Sequence, residues 1–205
     1  MNKKLTFVYN GIPEQEVAHE DTRLFSHDNS IKIGLIGSGD ITKRKGFDQV
    51  INTLSKLPNY SVYIVGKGQE LDDLQELAKK LCLDDRVNFL GFQDDLGSFV
   101  DAMDIFVVPS RSEGFSLAIQ EVARQRKPVV CSKIPIFEEL FSSNEAVFFK
   151  LEDIEDLATA IERAYRNRDI FGEKIFQTFL ISYSSRVMAN NYLKLYHNMI
   201  KDTKR

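Results

Sequence analysis

The 205-residue chain carries only two cysteines, Cys82 and Cys131. They lie far apart and fit no metal-ligand spacing, so both are expected to be free thiols of a cytoplasmic protein. Cys131 follows Pro128-Val129-Val130 and is expected to be buried in a strand. No apolar run approaches the roughly 20 residues that a membrane-spanning helix needs. Lys3-Lys4 ahead of Leu5-Thr6-Phe7-Val8 is too short a stretch to be expected to act as a secretory signal. An excess of positive charge is also missing: 27 Lys and Arg stand against 30 Asp and Glu, a net charge of −3. No global basic field therefore invites nucleic acid, and Lys43-Arg44-Lys45 is a local cluster. There is no internal repeat, low-complexity tract or long linker. What remains is 43% hydrophobic and 28% charged, the composition of an ordinary soluble globular protein. The length allows one large or two small domains.

From Ile31 onward, short apolar runs alternate with amphipathic ones. Strands are predicted at Ile31 to Ile36, Ser61 to Val65, Val87 to Leu90, Ile105 to Val108, Val129 to Cys131 and Ala146 to Phe149. Helices are predicted at Phe47 to Leu57, Glu70 to Leu81, Asp95 to Ala102, Phe115 to Gln125, Ile136 to Phe141 and Asp153 to Arg166, with a helical remainder to about Lys201. Short, fully apolar strands separated by helices indicate an α/β fold: a Rossmann-like, doubly wound parallel sheet of about six strands covered on both faces. Ligands of such sheets sit at the carboxyl ends of the strands. Gly37-Ser38-Gly39, Gly66-Lys67-Gly68, Gly91-Phe92 and Pro109-Ser110 all follow strands. The first 30 residues differ. Leu5 to Pro13 reads as a strand ending in a turn, and Glu14 to Ser30 as a polar surface loop.

The glycine loops exclude two nucleotide-binding classes. Gly37-Ser38-Gly39 opens like a dinucleotide fingerprint, but the third glycine position holds Thr42. Pro58-Asn59-Tyr60 stands where an acidic ribose binder belongs. No phosphate loop ending in Gly-Lys-Ser/Thr is present. Lys45-Gly46, at the start of the following helix, offers instead a point charge that could pair with a diphosphate, or a solvated lysine in a basic turn.

Ser110 to Val130 is the most informative stretch. Glu113 sits just before a Gly-Phe-Ser helix start, and Glu121 lies eight positions on. If helical throughout, that spacing spans roughly 12 Å and returns to within about 80° of the same face. The N–H groups of Gly114, Phe115, Ser116 and Leu117 at a helix N-terminus favour a phosphate. Gly114, having no Cβ, permits close approach. Glu113 could then accept from sugar hydroxyls on one side of a diphosphate and Glu121 from ribose on the other. Alternatively, Glu113 caps the helix and Glu121 is a solvated helix residue.

In this order, the segments resemble the C-terminal, donor-binding half of the GT-B glycosyltransferases of glycosyltransferase family 4 (glycosyl transferases group 1). The resemblance rests on Tyr9-Asn10-Gly11-Ile12 as the linker into the domain, Lys45-Gly46, Tyr63 to Gly68, Val87 to Gly91, the E-x7-E motif from Glu113 to Glu121, and a terminal helix from Ser184 to Ile200 with Tyr192 and Tyr196. It covers nearly the whole chain. It implies retaining transfer of a sugar from a nucleotide diphosphate sugar, such as a UDP- or GDP-sugar, to a saccharide or lipid-linked acceptor in surface polysaccharide synthesis, without a cofactor or metal. It also implies roles for residues. Glu113 contacts the donor sugar and Lys45 neutralises the leaving diphosphate, the two catalytic candidates. Gly114, Phe115 and Ser116 bind phosphate through N–H groups, and Glu121 binds ribose. Gly91 and Phe92 hold the base, with Gly39 and Gly66 also at the donor.

One departure concerns the arginine that the family often has five positions before the lysine. Asp40 stands there, and Arg44 or Lys43 is the candidate substitute. The resemblance divides the chain into residues 1–30 leading in from an N-terminal acceptor domain, a donor domain at 31–182 and a crossing helix at 183–205. The acceptor half is expected to precede Met1, so this chain alone is expected to bind donor weakly and transfer little. The parent enzyme is expected in the cytoplasm, peripheral to the inner face of the membrane. A non-catalytic nucleotide-sugar-binding module and a GT-B sugar-nucleotide epimerase are the alternatives. His19, His27 and His197 lie at no strand end and are expected at the surface. Tyr183, Tyr192, Tyr196 and Met199 have the helical spacing of core or interdomain packing.

Overall fold

Aliphatic runs too short for helices form the strands, and the computed structural model describes residues 7–14, 29–38 and 43–203. The elements alternate along the chain: β1 (Ile31–Ile36), α1 (Phe47–Thr53), β2 (Tyr60–Val65), α2 (Glu70–Lys80), β3 (Val87–Gly91), α3 (Leu96–Ala102), β4 (Ile105–Val108), α4 (Leu117–Arg124), β5 (Val129–Ser132), α5 (Pro135–Leu140), β6 (Val147–Phe149), α6 (Ile154–Arg166), α7 (Arg168–Thr178) and α8 (Ser185–Thr203). The strands form one six-stranded sheet in the order β3-β2-β1-β4-β5-β6. Every pairing is parallel. The doubly wound sheet expected from the alternation is therefore present. Its order reverses between β1 and β4, which places a crevice at their carboxyl ends.

Period-two alternation splits the apolar side chains into two cores. Ile33, Leu35, Val62, Ile64, Ile105 and Val107 pack with Phe47, Val50 and Ile51 of α1, Leu74 of α2 and Leu157 and Ile161 of α6. The intervening Tyr63, Val65, Phe106 and Val129, with Cys131, face Phe99 of α3, Ile119 and Val122 of α4, Phe137 of α5 and Ile175 of α7. Burial on both faces explains why β2 is buried at all six positions and is apolar or aromatic at all but Ser61. Cys131 lies in β5 fully buried, which pushes its thiol pKa up, whereas Cys82 is exposed.

Several boundaries differ from the sequence reading. The helix expected to reach Leu57 ends at Thr53 and tightens into a 3-10 turn over Leu54–Lys56. Thr53 Oγ1 donates back to the Gln49 carbonyl at 2.7 Å, and Pro58 keeps Leu57 out of the helical region. The helical remainder is interrupted by a π turn at Phe179–Tyr183 between α7 and α8. The strand expected at Leu5 to Pro13 does not form over its described part, residues 7–13. A single bridge joins Ile12 to Ser184 instead, with Ile12 N–H donating to the Tyr183 carbonyl at 3.2 Å and Ser185 N–H to the Ile12 carbonyl at 2.8 Å. The segment therefore docks on the start of α8, not on the sheet. Tyr183 is buried with its hydroxyl donating to the Leu140 carbonyl at 2.9 Å. Tyr192, Tyr196 and Met199 are 38%, 54% and 59% exposed and belong to neither core.

At the crevice, strand-end loops lie against one another. Gly37 N–H donates to the Val65 carbonyl at 3.0 Å and Gly66 N–H to the Gly91 carbonyl at 2.9 Å. Gly66 has φ +146°, and a Cβ there would sit 1.8 Å from the Gly37 carbonyl oxygen. Gly66→Ala is therefore expected to lower the urea-unfolding free energy by about 1–3 kcal/mol, and a loss under about 0.5 kcal/mol would show that the loops part freely. On α4, Gln120 is fully buried and neither amide heteroatom has a hydrogen-bond partner among the described residues. Gln120→Met is expected to raise stability by about 1–2 kcal/mol in the same measurement, because it removes an unsatisfied amide at little cost in volume.

Candidate functional site at the sheet crevice

The buried run of β4 ends at Pro109, and the chain turns through residues 110–115 before α4 begins. Ser116 is the N-cap, its hydroxyl accepting from Ile119 N–H at 3.4 Å. The helix thus starts at Leu117, two residues later than expected. Glu113 does not cap it, and a helical repeat does not describe the whole path from Glu113 to Glu121. Gly114 to Ser116 form a loop ahead of the helix tip, where a Cβ on Gly114 would meet nothing within 4 Å.

Glu113 turns inward. Its side chain is 7% exposed, and Oε1 accepts from Lys45 Nζ at 2.5 Å and from Ser110 Oγ at 3.0 Å. Ser110 is itself held, because Ser132 Oγ donates to its carbonyl at 2.5 Å. Lys45 arrives from the loop between β1 and α1 with its stem over Gly37, where an added methyl would lie 3.1 Å from Lys45 Cε. Lys45 and Glu113, 68 residues apart, therefore meet across the reversal point of the sheet.

Gly46 makes the meeting possible. It has φ +68°, and a Cβ there would lie 2.1 Å from the Pro109 carbonyl oxygen. Glycine is required on both counts, since the backbone is left-handed and the two loops touch. Gln49, buried in the first turn of α1, locks the contact: Nε2 donates to the Pro109 carbonyl at 3.0 Å while Oε1 accepts from Glu152 N–H at 2.8 Å. Arg111 ties the same loops. Its guanidinium forks onto Asp48 with both bonds at 2.9 Å, donates to Glu152 at 2.7 Å and to the Lys43 carbonyl at 2.6 Å. These two carboxylates raise the Arg111 pKa above its ordinary value, Asp48 first.

The remaining candidate residues are placed as follows. Glu121 lies on α4 and accepts from Arg124 at 2.6 Å. Arg124 is 7% exposed and also donates to the Pro13 carbonyl at 3.4 Å. Phe115 stacks on Tyr9 with ring centroids 5.9 Å apart, and the Tyr9 hydroxyl donates to Glu139, which raises the tyrosine pKa. Phe92 is 61% exposed beyond β3, with the Lys67 ammonium 4.9 Å from its ring. Arg44 is exposed, and its carbonyl accepts from Arg111 N–H at 2.8 Å. Gly39 and Asp40 lie outside the described residues. His197 is exposed, as expected, while His19 and His27 also lie outside.

Sequence reasoning missed Asp48, Gln49, Arg111 and Arg124. Arg124 was within reach, since i and i+3 on one helix are neighbours. Asp48 and Arg111 are 63 residues apart and carry no local signal of their pairing. Among the described residues, no three His, Cys, Asp or Glu side chains cluster as metal ligands, and no helix is long and apolar enough to cross a membrane. The arrangement can hold one cation against one shielded carboxylate at a crevice edged by glycine backbone, which suits an anion bearing hydroxyl groups.

Known proteins resemble this chain in sequence and in fold. The profile of the family described as Glycosyl transferases group 1 matches residues 19–176. The O-antigen biosynthesis glycosyltransferase WclY of Escherichia coli is 34% identical over 202 residues, covering 97% of this chain and 57% of that protein. The lipopolysaccharide core biosynthesis glycosyltransferase LpsE of Rhizobium meliloti strain 1021 is 30% identical over 165 residues, covering 78% of this chain and 48% of that protein. The chain thus spans about half the length of these relatives. Anabaena Alr3699/HepE, in a crystal structure with UDP and glucose, superposes with a TM-score of 0.81 at 21% identity, over 93% of this chain and 56% of that one. At that identity the likeness concerns the fold.

A double-mutant cycle measures the central pair. Lys45→Met strands the shielded Glu113 carboxylate, whereas Lys45→Met combined with Glu113→Gln leaves no uncompensated charge. The single variant is expected to be the less stable of the two, with a coupling energy of about 1–3 kcal/mol by urea unfolding. Additivity within about 0.5 kcal/mol would mean that the two side chains do not interact in solution.

Proposed function

Because the chain belongs to the family described as Glycosyl transferases group 1 and has the Rossmann-like architecture of GT-B enzymes, we propose that it is the donor-binding half of a retaining glycosyltransferase. In this proposal it moves a sugar from a nucleotide diphosphate sugar to a saccharide or lipid-linked acceptor during surface polysaccharide synthesis. The observation that carries the proposal is the Lys45–Glu113 pair at the reversal point of the sheet. Relatives that build O-antigen and lipopolysaccharide core support the class of product, and a fold neighbour that holds UDP and glucose supports the class of donor.

The pyrophosphate lies against Lys45, with the N–H groups of Gly114, Phe115 and Ser116 ahead of the α4 tip as further donors. Gly66 allows close approach from a neighbouring loop, and Arg44 supplies a second cation at the edge. Glu121 accepts from the ribose hydroxyls, and Gly91 and Phe92 hold the base. Glu113 faces the donor sugar, where its negative charge opposes the positive charge that develops at the anomeric carbon as the glycosidic bond breaks. Lys45 shares its protons between Glu113 and the diphosphate. As the leaving oxygen gains charge, the ammonium is drawn toward it, an interaction stronger in the transition state than in the ground state. An acceptor-binding domain completes the cleft, without which the chain binds donor and transfers little. The working enzyme is cytoplasmic, at the inner face of the membrane.

Calorimetric titration with UDP, GDP and ADP and their sugars tests this directly. Glu121→Ala is expected to weaken every nucleotide by about 1–3 kcal/mol. Glu113→Ala releases Lys45 and is expected to leave the free diphosphate bound as well or better while weakening the sugar nucleotide. Equal losses on both ligands contradict the division of roles, and no heat with any nucleotide at millimolar concentration contradicts the donor site itself.

A further inference from the structure

Arg111 touches none of the atoms that the donor would contact, yet it joins the two loops that supply Lys45 and Glu113. On one side it lies two residues from Glu113. On the other, its guanidinium donates to the Lys43 carbonyl at 2.6 Å and its backbone N–H to the Arg44 carbonyl at 2.8 Å, the two peptide units leading into Lys45. The bidentate fork onto Asp48 at 2.9 Å fixes the guanidinium to the first turn of α1, just after Gly46. Nε donates to Glu152 at 2.7 Å, in the loop between β6 and α6. Within the loop so held, Lys43 is left-handed, at φ +51°. A left-handed residue with a side chain persists where its surroundings hold it.

We propose that Arg111, oriented by Asp48, is a positioning residue. It fixes the backbone of residues 43–45 so that the lysine ammonium stands against Glu113 at the pyrophosphate position. The proposal rests on the donor reading for the ligand, while the geometry it explains is independent of any ligand. Lysine has a long, flexible stem, and its charge is useful at one place only if the stem's root does not move. The planar guanidinium suits the fixing role, because its donors point in set directions and reach a carboxylate, a second carboxylate and a carbonyl together.

The test has one arm that needs no nucleotide. In the chain carrying 13C-dimethyl lysines, the Lys45 signal is followed in Arg111→Met, Arg111→Lys and Asp48→Asn. Glu113→Gln marks the unpaired position, and Arg166→Met, which breaks a surface pair with Glu162, serves as control. Arg111→Met is expected to move Lys45 to the position seen in Glu113→Gln. Arg111→Lys should restore little of the shift, because an ammonium lacks the fork, and Arg166→Met should leave Lys45 in place. If Arg111→Met does not fold, Asp48→Asn carries the same expectation with the other arginine bonds kept. A Lys45 signal unmoved in the folded variants overturns the proposal, because a merely structural staple lowers stability without unpairing the lysine. The second arm is calorimetry with inorganic pyrophosphate. Arg111→Met should weaken it about tenfold to a hundredfold, the loss of the charge-assisted bond from the displaced Lys45, and a loss no larger than that of Arg166→Met also overturns the proposal. If wild-type chain binds neither pyrophosphate nor UDP while Lys45 responds as described, the donor reading falls and the positioning role stands.

Discussion

Two loops touch where the sheet reverses direction, and the site depends on that contact. The loop after β1 and the loop after β4 leave neighbouring strands toward opposite sides of the sheet. Without a link they would diverge and leave an open notch. They stay in contact because Gly46 has no side chain to hold the Pro109 carbonyl away, and Gln49 then hydrogen-bonds that carbonyl from within α1. The consequence is electrostatic as well as geometric. A lysine from one loop and a glutamate from the other are brought to 2.5 Å with side chains only 18% and 7% exposed. At that degree of burial an unpaired charge would be costly, so each group stabilises the presence of the other.

The fold was largely legible in the sequence because its determinants are local. Val129-Val130-Cys131 is apolar at every position, as a strand covered on both faces must be. Leu74 and Ala78 recur at helical spacing in α2. The parallel, doubly wound class followed from the alternation of strand and helix, whereas the order of the strands came from the structure. The helix boundaries were less legible, but one was readable in retrospect. Gly114-Phe115-Ser116 contains a good N-cap, and Ser116 takes that role, so the helix begins after it. Phe115, assigned to the helix in the sequence reading, packs instead on Tyr9 of the incoming segment. The incoming segment itself was misread as a strand because its apolar residues serve single contacts, one of them the Ile12–Ser184 bridge.

The site was legible as a set of residue types and illegible as a network. Glu113 and Lys45 could be named because each stands beside a strand end or a helix start, and Glu121 because it follows Glu113 by eight positions. The bonds that hold them join residues far apart in sequence, such as Arg111 with Asp48 and Gln49 with Pro109. Nothing in local spacing distinguishes those side chains from solvated ones. The pairing of Lys45 with Glu113 belongs to the same class. In the sequence the two appeared as separate contacts, Glu113 to the sugar and Lys45 to the diphosphate of one ligand, whereas the structure makes them each other's partner.

The two kinds of cation are used differently, and chemistry explains the division. The arginines sit where a fixed direction matters: Arg111 forks onto Asp48, and Arg124, buried in α4, holds Glu121 and reaches the Pro13 carbonyl. A guanidinium spreads its charge over a plane and binds several acceptors without turning, so moving it breaks several bonds at once. The ammonium of Lys45 is a compact charge with three donors around one atom. It can bond Glu113 and still present protons to a second acceptor, and a small rotation of the stem transfers weight from one to the other. In the proposed transfer, a group that follows charge from a glycosidic bond onto a departing diphosphate needs that freedom at its tip and none at its root. Lys45 has the freedom in its side chain, and Gly46, Gln49 and Arg111 remove it from the backbone beneath.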